Sequence, residues 1–195
     1  MIKTTVLLEN TLYNKNLKKA HGLSLLIKTP ETQILLDTGP NSKFSSNAKK
    51  LGIDLSLVDN LVLSHAHYDH TGGVNKFCKL NQRAQIFMFS PYNEKYYASV
   101  GLGYHFIGFK ASAKNKKRIT FLQNPIQISK HCWFIPCTVD FYGKPAKNSS
   151  LLKKVGKVYS KDTFNHEGIL LYEDSGEIVI FNSCSHNGVI NSIET

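Results

Sequence analysis

The chain has 195 residues, enough for one domain with a sizeable core, and its 42% hydrophobic and 19% charged residues exclude wholesale disorder. Its apolar runs are too short to cross a bilayer and no signal-peptide core begins it, so we expect a cytoplasmic protein without a membrane partner. The net charge of +10 agrees with a nucleic-acid partner, with an anionic small-molecule substrate, or with a solubilising surface.

The excess positive charge lies largely in two lysine-rich runs, at residues 114–118 and 143–157. Neither run has the alternation of arginines and aromatic residues that is typical of proteins that bind single-stranded nucleic acid. The charge therefore indicates a solvated surface, or steering of an anionic small molecule, more than a nucleic-acid partner.

Short strands separated by turns are predicted for the first third of the chain, because its apolar segments are bounded by turn-forming residues. A hairpin turn is predicted at Thr29–Thr32, and a helix over 45–52 that ends at Gly52. The predicted strands of this part are 3–10, 23–29, 32–39 and 60–64.

Further strands are predicted at 84–90 and, as one or two strands, over 125–137, with a hairpin around the turn Asp174–Gly176. A short helix is predicted over 71–80, whereas residues 91–125 show no clear pattern. Strands interspersed with helices predict a layered α/β or α+β fold. No linker or repeat divides the chain, so we expect a single domain over 1–195.

Four metal-ligand side chains are crowded into the segment SHAHYDHTGG, which directly follows the predicted strand 60–64. His65 and His67 project to the same side of an extended chain, and Asp69 and His70 follow, offset towards a neighbouring position. Imidazole nitrogens with a carboxylate suit zinc, with iron or manganese as alternatives. The spacing therefore predicts a metal centre at the end of a buried strand.

This segment resembles the HxHxDH signature of the metallo-β-lactamase superfamily, and ILLDTG at 34–39 is similar to that superfamily's strand ending in Asp-Thr-Gly. FNHEG at 164–168 and the later Cys-Ser-His segment at 184–186 resemble one branch of metal-dependent hydrolases, which includes a dihydropterin aminobenzene-phosphate synthase. The resemblance implies an αββα sandwich in which Asp37 supports the metal-binding loop.

The resemblance also implies a site with two divalent metal ions, zinc being the first expectation. His65 and His67 would hold one ion, Asp69 and His70 the other, and His186 would be a further ligand. A hydroxide bridging the two ions would attack a small anionic substrate that carries a phosphate or a carbonyl group, and Asp69 would orient that nucleophile and take up its proton.

Members of that branch continue beyond the Cys-Ser-His segment to a late histidine ligand, whereas this sequence ends at Thr195. We therefore expect a sandwich without its last helix and strand, completed by a second copy or by a partner chain. The alternative function is a catalytically silent metal-binding domain that acts through a partner. A nuclease of the same superfamily ranks below both.

Several other residues leave open alternatives. Cys184 is either a small core residue, which we favour, or a thiolate at the site. His166 and Glu167 either support the metal ligands from outside or cap the following strand. The remaining histidines have no ligand-type neighbours in the sequence and are expected to be ordinary surface or core residues; they are His21, His105 and His131.

Overall fold

The computed structural model describes residues 1–12, 14–90 and 94–195. Their contacts divide the chain into two compact units. Unit 1 comprises Met1–Leu63, Tyr68–Phe87 and Lys110–Thr120. Unit 2 comprises Ser64–His67, Met88–Phe109 and Phe121–Thr195. The single domain expected over 1–195 remains a prediction.

Strands outnumber helices within the described residues. The strands are β1 (Lys3–Leu8), β2 (Ser24–Lys28), β3 (Gln33–Leu36), β4 (Asn60–Leu63), β5 (Gln85–Phe89), β6 (Glu94–Val100), β7 (Gly103–Phe106), β8 (Ile119–Leu122), β9 (Ile126–Ser129), β10 (Cys132–Pro136), β11 (Leu151–Val155), β12 (Val158–Lys161), β13 (Gly168–Asp174) and β14 (Glu177–Phe181). The α-helices are α1 (Lys43–Lys50), α2 (Tyr68–Thr71), α3 (Val74–Leu80), α4 (Ala113–Lys116) and α5 (Val189–Ile193). Short 3₁₀ turns lie at Leu55–Leu57 and Ala146–Ser150.

The strands of unit 1 belong to a sheet with the order β1-β2-β3-β4-β5-β8, in which β5 and β8 run on in sequence into unit 2. β1, β2 and β3 pair antiparallel, and β3 pairs parallel with β4. All four residues of β4 are buried, as expected for a short strand in the interior of a sheet. The chain thus leaves the sheet at Leu63, directly before the histidine segment.

Helix α1 packs on this sheet through the buried side chains of Phe44 and Ala48. It begins and ends two residues before the predicted helix 45–52, and Gly52 follows it with a φ of 69°. That left-handed conformation ends the helix and suits glycine, which has no Cβ.

Unit 2 contains two antiparallel sheets of four strands, with the orders β14-β13-β10-β9 and β12-β11-β6-β7. The predicted hairpin at Asp174–Gly176 is confirmed: Asp174 pairs with Glu177, and Ser175 and Gly176 have φ angles of 54° and 82°. Two consecutive residues with positive φ are typical of the tight turns that match the twist of paired strands.

The second of these sheets has no counterpart in the predicted elements. β11 carries Lys153 and Lys154 within a run that was interpreted as a solvated lysine-rich segment. Aromatic contacts stabilise the sheet, because the Tyr104 ring stacks on Tyr159 at 4.4 Å between centroids and Tyr97 meets Phe106 edge to face. No helix in the described ranges is long and apolar enough to span a bilayer.

Candidate metal centre

Unit 2 brings three of the predicted ligands together, although His186 lies far along the chain from His65 and His67. One ligand nitrogen from each of the three side chains lies within 4.8 Å of the others. The ring centroids are 4.8 Å apart for His65 and His67, 5.0 Å for His65 and His186, and 4.8 Å for His67 and His186. Three imidazoles thus surround one point, at edge-to-face angles between 69° and 84°.

The orientation of His186 is fixed by Asn148. The Asn148 Nδ2 group donates to the backbone carbonyl of His186 at 2.7 Å, so the Oδ1 atom of this amide is an acceptor. That oxygen lies 2.9 Å from His186 Nδ1, which must therefore donate. The lone pair of the neutral ring is then on Nε2, the atom that a metal would bind.

Glu167 holds the backbone of the same loop. Its Oε1 atom accepts a hydrogen bond from the His186 N–H at 2.8 Å, and its Oε2 atom accepts from the Asn187 N–H at 2.7 Å and from Asn187 Nδ2 at 2.9 Å. Glu167 is buried, so three donors compensate the removal of its carboxylate from water. Glu167 therefore positions the loop that carries His186.

The segment Ser64–His67 is held by the beginning of β13 and by His166. The Gly168 N–H donates to the Ser64 carbonyl at 2.8 Å, and the Ala66 N–H donates to His166 Nδ1 at 3.0 Å. Ser64 Oγ lies 2.9 Å from Nδ1 of His65. These contacts fix the backbone on both sides of His65.

A buried carboxylate, Asp162, lies behind the three-histidine group. Because Ala66 donates to His166 Nδ1, the proton of that neutral ring is on Nε2, which donates to Asp162 Oδ2 at 3.1 Å. His67 Nε2 lies 3.7 Å from the same oxygen. Burial alone would raise the pKa of Asp162, but the hydrogen bond from His166 and the nearby His67 ring hold that pKa well below its usual range. His166 and Glu167 thus both support metal-type residues, which is one of the two alternatives the sequence left open.

Unit 1 contains the other two predicted ligands, Asp69 and His70, on the short helix α2. His70 Nδ1 lies 2.7 Å from Asp37 Oδ2, and His70 Nε2 lies 3.4 Å from Asp69 Oδ2. The Thr38 N–H donates to the His70 carbonyl at 2.7 Å, and Thr38 Oγ1 donates to it at 3.0 Å. The Asp-Thr-Gly segment therefore orients His70, as the resemblance implies for Asp37.

Two side chains differ from the expectations. Cys184, which we favoured as a core residue, is exposed, because it lies in a bend beyond the end of β14 rather than within a sheet. His21, which was expected to be an ordinary histidine, has its Nε2 atom 3.4 Å from Asp69 Oδ2. The sequence patterns did not join His21 to Asp69, because the two residues are distant in the chain.

These donor sets suit a divalent ion such as zinc. Three neutral imidazoles in one place are a common zinc ligand set, and such sites retain a further position for water or substrate. The Nδ1 atom of His186 lies next to the amide oxygen of Asn148. In unit 1, the Nδ1 atom of His70 lies next to the carboxylate of Asp37. Outer contacts of this kind are usual for metal-ligating histidines, because they fix the tautomer.

Sequence comparisons link the chain to known proteins. Residues 18–85 match the family model of the metallo-β-lactamase superfamily. An uncharacterized protein of Methanocaldococcus jannaschii is 28% identical over 200 residues, which cover 100% of this chain and 73% of that protein. The 7,8-dihydropterin-6-methyl-4-(β-D-ribofuranosyl)-aminobenzene-5′-phosphate synthase of the same organism is 25% identical over 199 residues, covering 93% of this chain and 67% of the synthase.

A comparison of structures supports the fold. The crystal structure of Tm1679, a metal-dependent hydrolase of the β-lactamase superfamily, matches with a TM-score of 0.82 at 23% identity, covering 100% of this chain and 70% of that one. The fold class predicted from the sequence is confirmed by this similarity. The resemblance read from the histidine segment is confirmed as well.

Proposed function

The chain has the metallo-β-lactamase fold, and on that basis we propose that it is a metal-dependent hydrolase of a small anionic substrate with a phosphate or a carbonyl group. The observation that supports this most is the group of His65, His67 and His186, in which Asn148 directs the lone pair of His186. Zinc as the metal and the cytoplasm as the location belong to the same proposal.

Each residue has a separate role in this proposal. His65, His67 and His186 would hold one ion, and Asp69 and His70 would contribute to holding a second. When bound, two divalent cations lower the pKa of water and stabilise the negative charge that develops in the transition state. The carboxylate of Asp69 orients the attacking water and accepts its proton.

Phosphate-bearing small molecules are the favoured substrates. The net charge of +10 raises the local concentration of anions around the protein. The synthase that is 25% identical to this chain has an aminobenzene-5′-phosphate in its name. Both observations support an anionic substrate.

Metal content tests the proposal first. The purified chain is loaded with zinc, dialysed and measured by elemental analysis beside His186→Ala and the control His105→Ala, whose histidine is exposed on β7. We expect two ions per chain in the wild type and in the control, and a loss of at least one in His186→Ala. A folded wild-type chain that retains no zinc would overturn the proposal.

Turnover is tested on the zinc-loaded chain with an aryl phosphate monoester, an aryl phosphate diester, a thioester and a lactone. We expect hydrolysis of a phosphate compound that stops with a chelator and returns with zinc. Bound metal without turnover of any of these compounds would instead support the catalytically silent metal-binding domain.

A further inference from the structure

His21 and His70 both approach the same carboxylate oxygen of Asp69. Both Nε2 atoms are 3.4 Å from Asp69 Oδ2, and all three residues belong to unit 1. His70 is fixed in this arrangement because its Nδ1 atom is hydrogen bonded to Asp37 Oδ2. A second imidazole therefore approaches the carboxylate that the proposed function assigns, together with His70, to the second ion.

The backbone on the C-terminal side of His21 is pressed against Asp69. Gly22 has a φ of 117°, and a Cβ atom built on it would lie 1.9 Å from the carbonyl oxygen of Asp69. Only glycine allows this approach, since any side chain would collide with the backbone. The Gly22 N–H also donates to Asn10 Oδ1 at 2.9 Å, which anchors the segment. The position of His21 beside Asp69 is thus determined by the chain path, and not by a chance contact of a long side chain.

The three side chains differ in exposure. The side chain of His21 is 77% exposed, against 12% for Asp69 and 2% for His70. Because the His21 side chain is mostly in solvent, its contact with Asp69 contributes little to stability, so stability does not account for the arrangement. An exposed imidazole can rotate onto an ion that enters from solvent, whereas the buried His70 is already aligned. The set then combines two fixed ligands with one that closes on the ion.

We infer that His21 is the third protein ligand of the second metal position, together with Asp69 and His70, for zinc or a similar divalent ion. This inference rests on the proposed function. Two nitrogens and one carboxylate oxygen form a known ligand set of hydrolytic zinc sites, with a remaining position for water or substrate.

The first experiment measures binding of the second ion. Cobalt(II) and zinc are titrated into the metal-free wild type, into His21→Ala and into His105→Ala, an exposed histidine of unit 2. We expect two ions in the wild type and in His105→Ala. In His21→Ala the affinity for the second ion should fall by at least about tenfold. Removing a residue that only supports a ligand already lowers metal affinity about 10–100-fold, and removing a ligand itself should cost no less.

The second experiment gives a signature that a structural role would not produce. His21→Cys places a thiol at the position, and a thiolate bound to cobalt(II) gives an intense charge-transfer absorption in the near ultraviolet. We expect this band in His21→Cys above the wild-type spectrum and not in the control His105→Cys. His21 is exposed, so neither substitution should prevent folding.

The outcomes separate the inference from the proposed function. If the wild type binds two ions, and His21→Ala binds both with unchanged affinity and His21→Cys adds no band, the inference is wrong and the hydrolase proposal stands. If the wild type binds one ion, the second position does not exist and the inference is overturned together with the two-metal proposal. A wild type that binds none overturns both.

Discussion

The Nδ1 atom of His70 lies 2.7 Å from Oδ2 of Asp37, and both side chains are buried. Asp37 also has a φ of 61°, a left-handed conformation that aspartate and asparagine adopt more readily than most residues. A charged acceptor at this distance fixes which nitrogen of His70 carries the proton, and it makes the other nitrogen a stronger metal ligand.

Replacement of Asp37 should weaken metal binding in unit 1. Asp37→Asn keeps the size of the side chain and tolerates the left-handed backbone, but it removes the negative charge that His70 faces. We expect about a 10–100-fold lower affinity for the second ion, measured by competition with a chromophoric chelator. The first ion should bind as in the wild type, and an Asp54→Asn control, in an exposed turn, should change neither. Equal affinities in Asp37→Asn and the wild type would contradict this prediction.

Replacement of Asn148 should affect the other group. Asn148→Ala removes the acceptor of His186 Nδ1 and the donor to the His186 carbonyl, so the ring is free to rotate and to change tautomer. We expect the affinity of the first ion to fall about 10–100-fold. Lys147→Ala, an exposed neighbour in the same 3₁₀ turn, is the matched control. The prediction is wrong if both variants bind zinc with the same affinity.

Gly168 should not tolerate a side chain. A Cβ atom there would lie 2.7 Å from Phe134, 2.7 Å from Phe89 and 2.9 Å from the carbonyl oxygen of Ile135. Gly168→Ala should therefore lower the free energy of unfolding by about 1–3 kcal/mol, the usual cost of overpacking. It should also disturb the bond from Gly168 to Ser64.

Denaturant unfolding of the metal-free protein measures this effect. The control is Gly103→Ala, because the nearest atom to a Cβ at Gly103 is 3.8 Å away. That substitution should leave stability unchanged or raise it by about 0.4–1 kcal/mol, since alanine restricts the unfolded chain. Similar unfolding free energies for the two variants would count against the packing argument.

The cysteines should differ strongly in their reaction with alkylating agents. Burial and the nearby Glu167 carboxylate raise the pKa of Cys137 to about 12, so at pH 8 almost all of this thiol is protonated, and only the thiolate reacts. Burial likewise raises the pKa of Cys78, whereas Cys184 is exposed. In the metal-free protein at pH 8, Cys184 should be labelled first.

Timed labelling with iodoacetamide followed by peptide mass spectrometry measures the order. Because the pKa of Cys137 is raised to about 12, native Cys137 should stay almost unlabelled over the whole range from pH 7 to 9. In denaturant all four cysteines should react at similar rates, and Cys184→Ser should leave the native protein almost unlabelled. If Cys137 in the native protein reacted as fast as Cys184, the predicted order of labelling would be wrong.

Local sequence patterns predicted much of the fold and the local half of the site. The strands around β2, β3 and β4 and the hairpin at Asp174–Gly176 follow from apolar runs and turn residues, which act over short distances. Asp69 and His70 are predicted as ligands in the same way, because the cluster is compact in sequence. The sheet of β6, β7, β11 and β12 was not predicted, because its strands carry lysines and depend on contacts between distant aromatic side chains.

The supporting residues depended on tertiary contacts and were beyond sequence reasoning. Asn148 lies in a lysine-rich segment with no motif, and its bond to His186 arises only in the fold. His21 was set aside because its neighbours in sequence are not ligands, although the Gly22 that follows it allows the close approach to Asp69. A glycine next to a histidine was the one available signal, and it is too common to be specific.

The bond between Ala66 and His166 joins residues that are 100 positions apart, and His186 lies further along still. Closing so long a loop costs chain entropy before the contact gains any energy, so such parts of a protein form late in folding. We therefore expect the three histidines to come together, and to bind a metal ion, only after the rate-limiting step of folding. Zinc should therefore slow the unfolding of this protein without speeding its folding, so bound zinc should lengthen the lifetime of the native state.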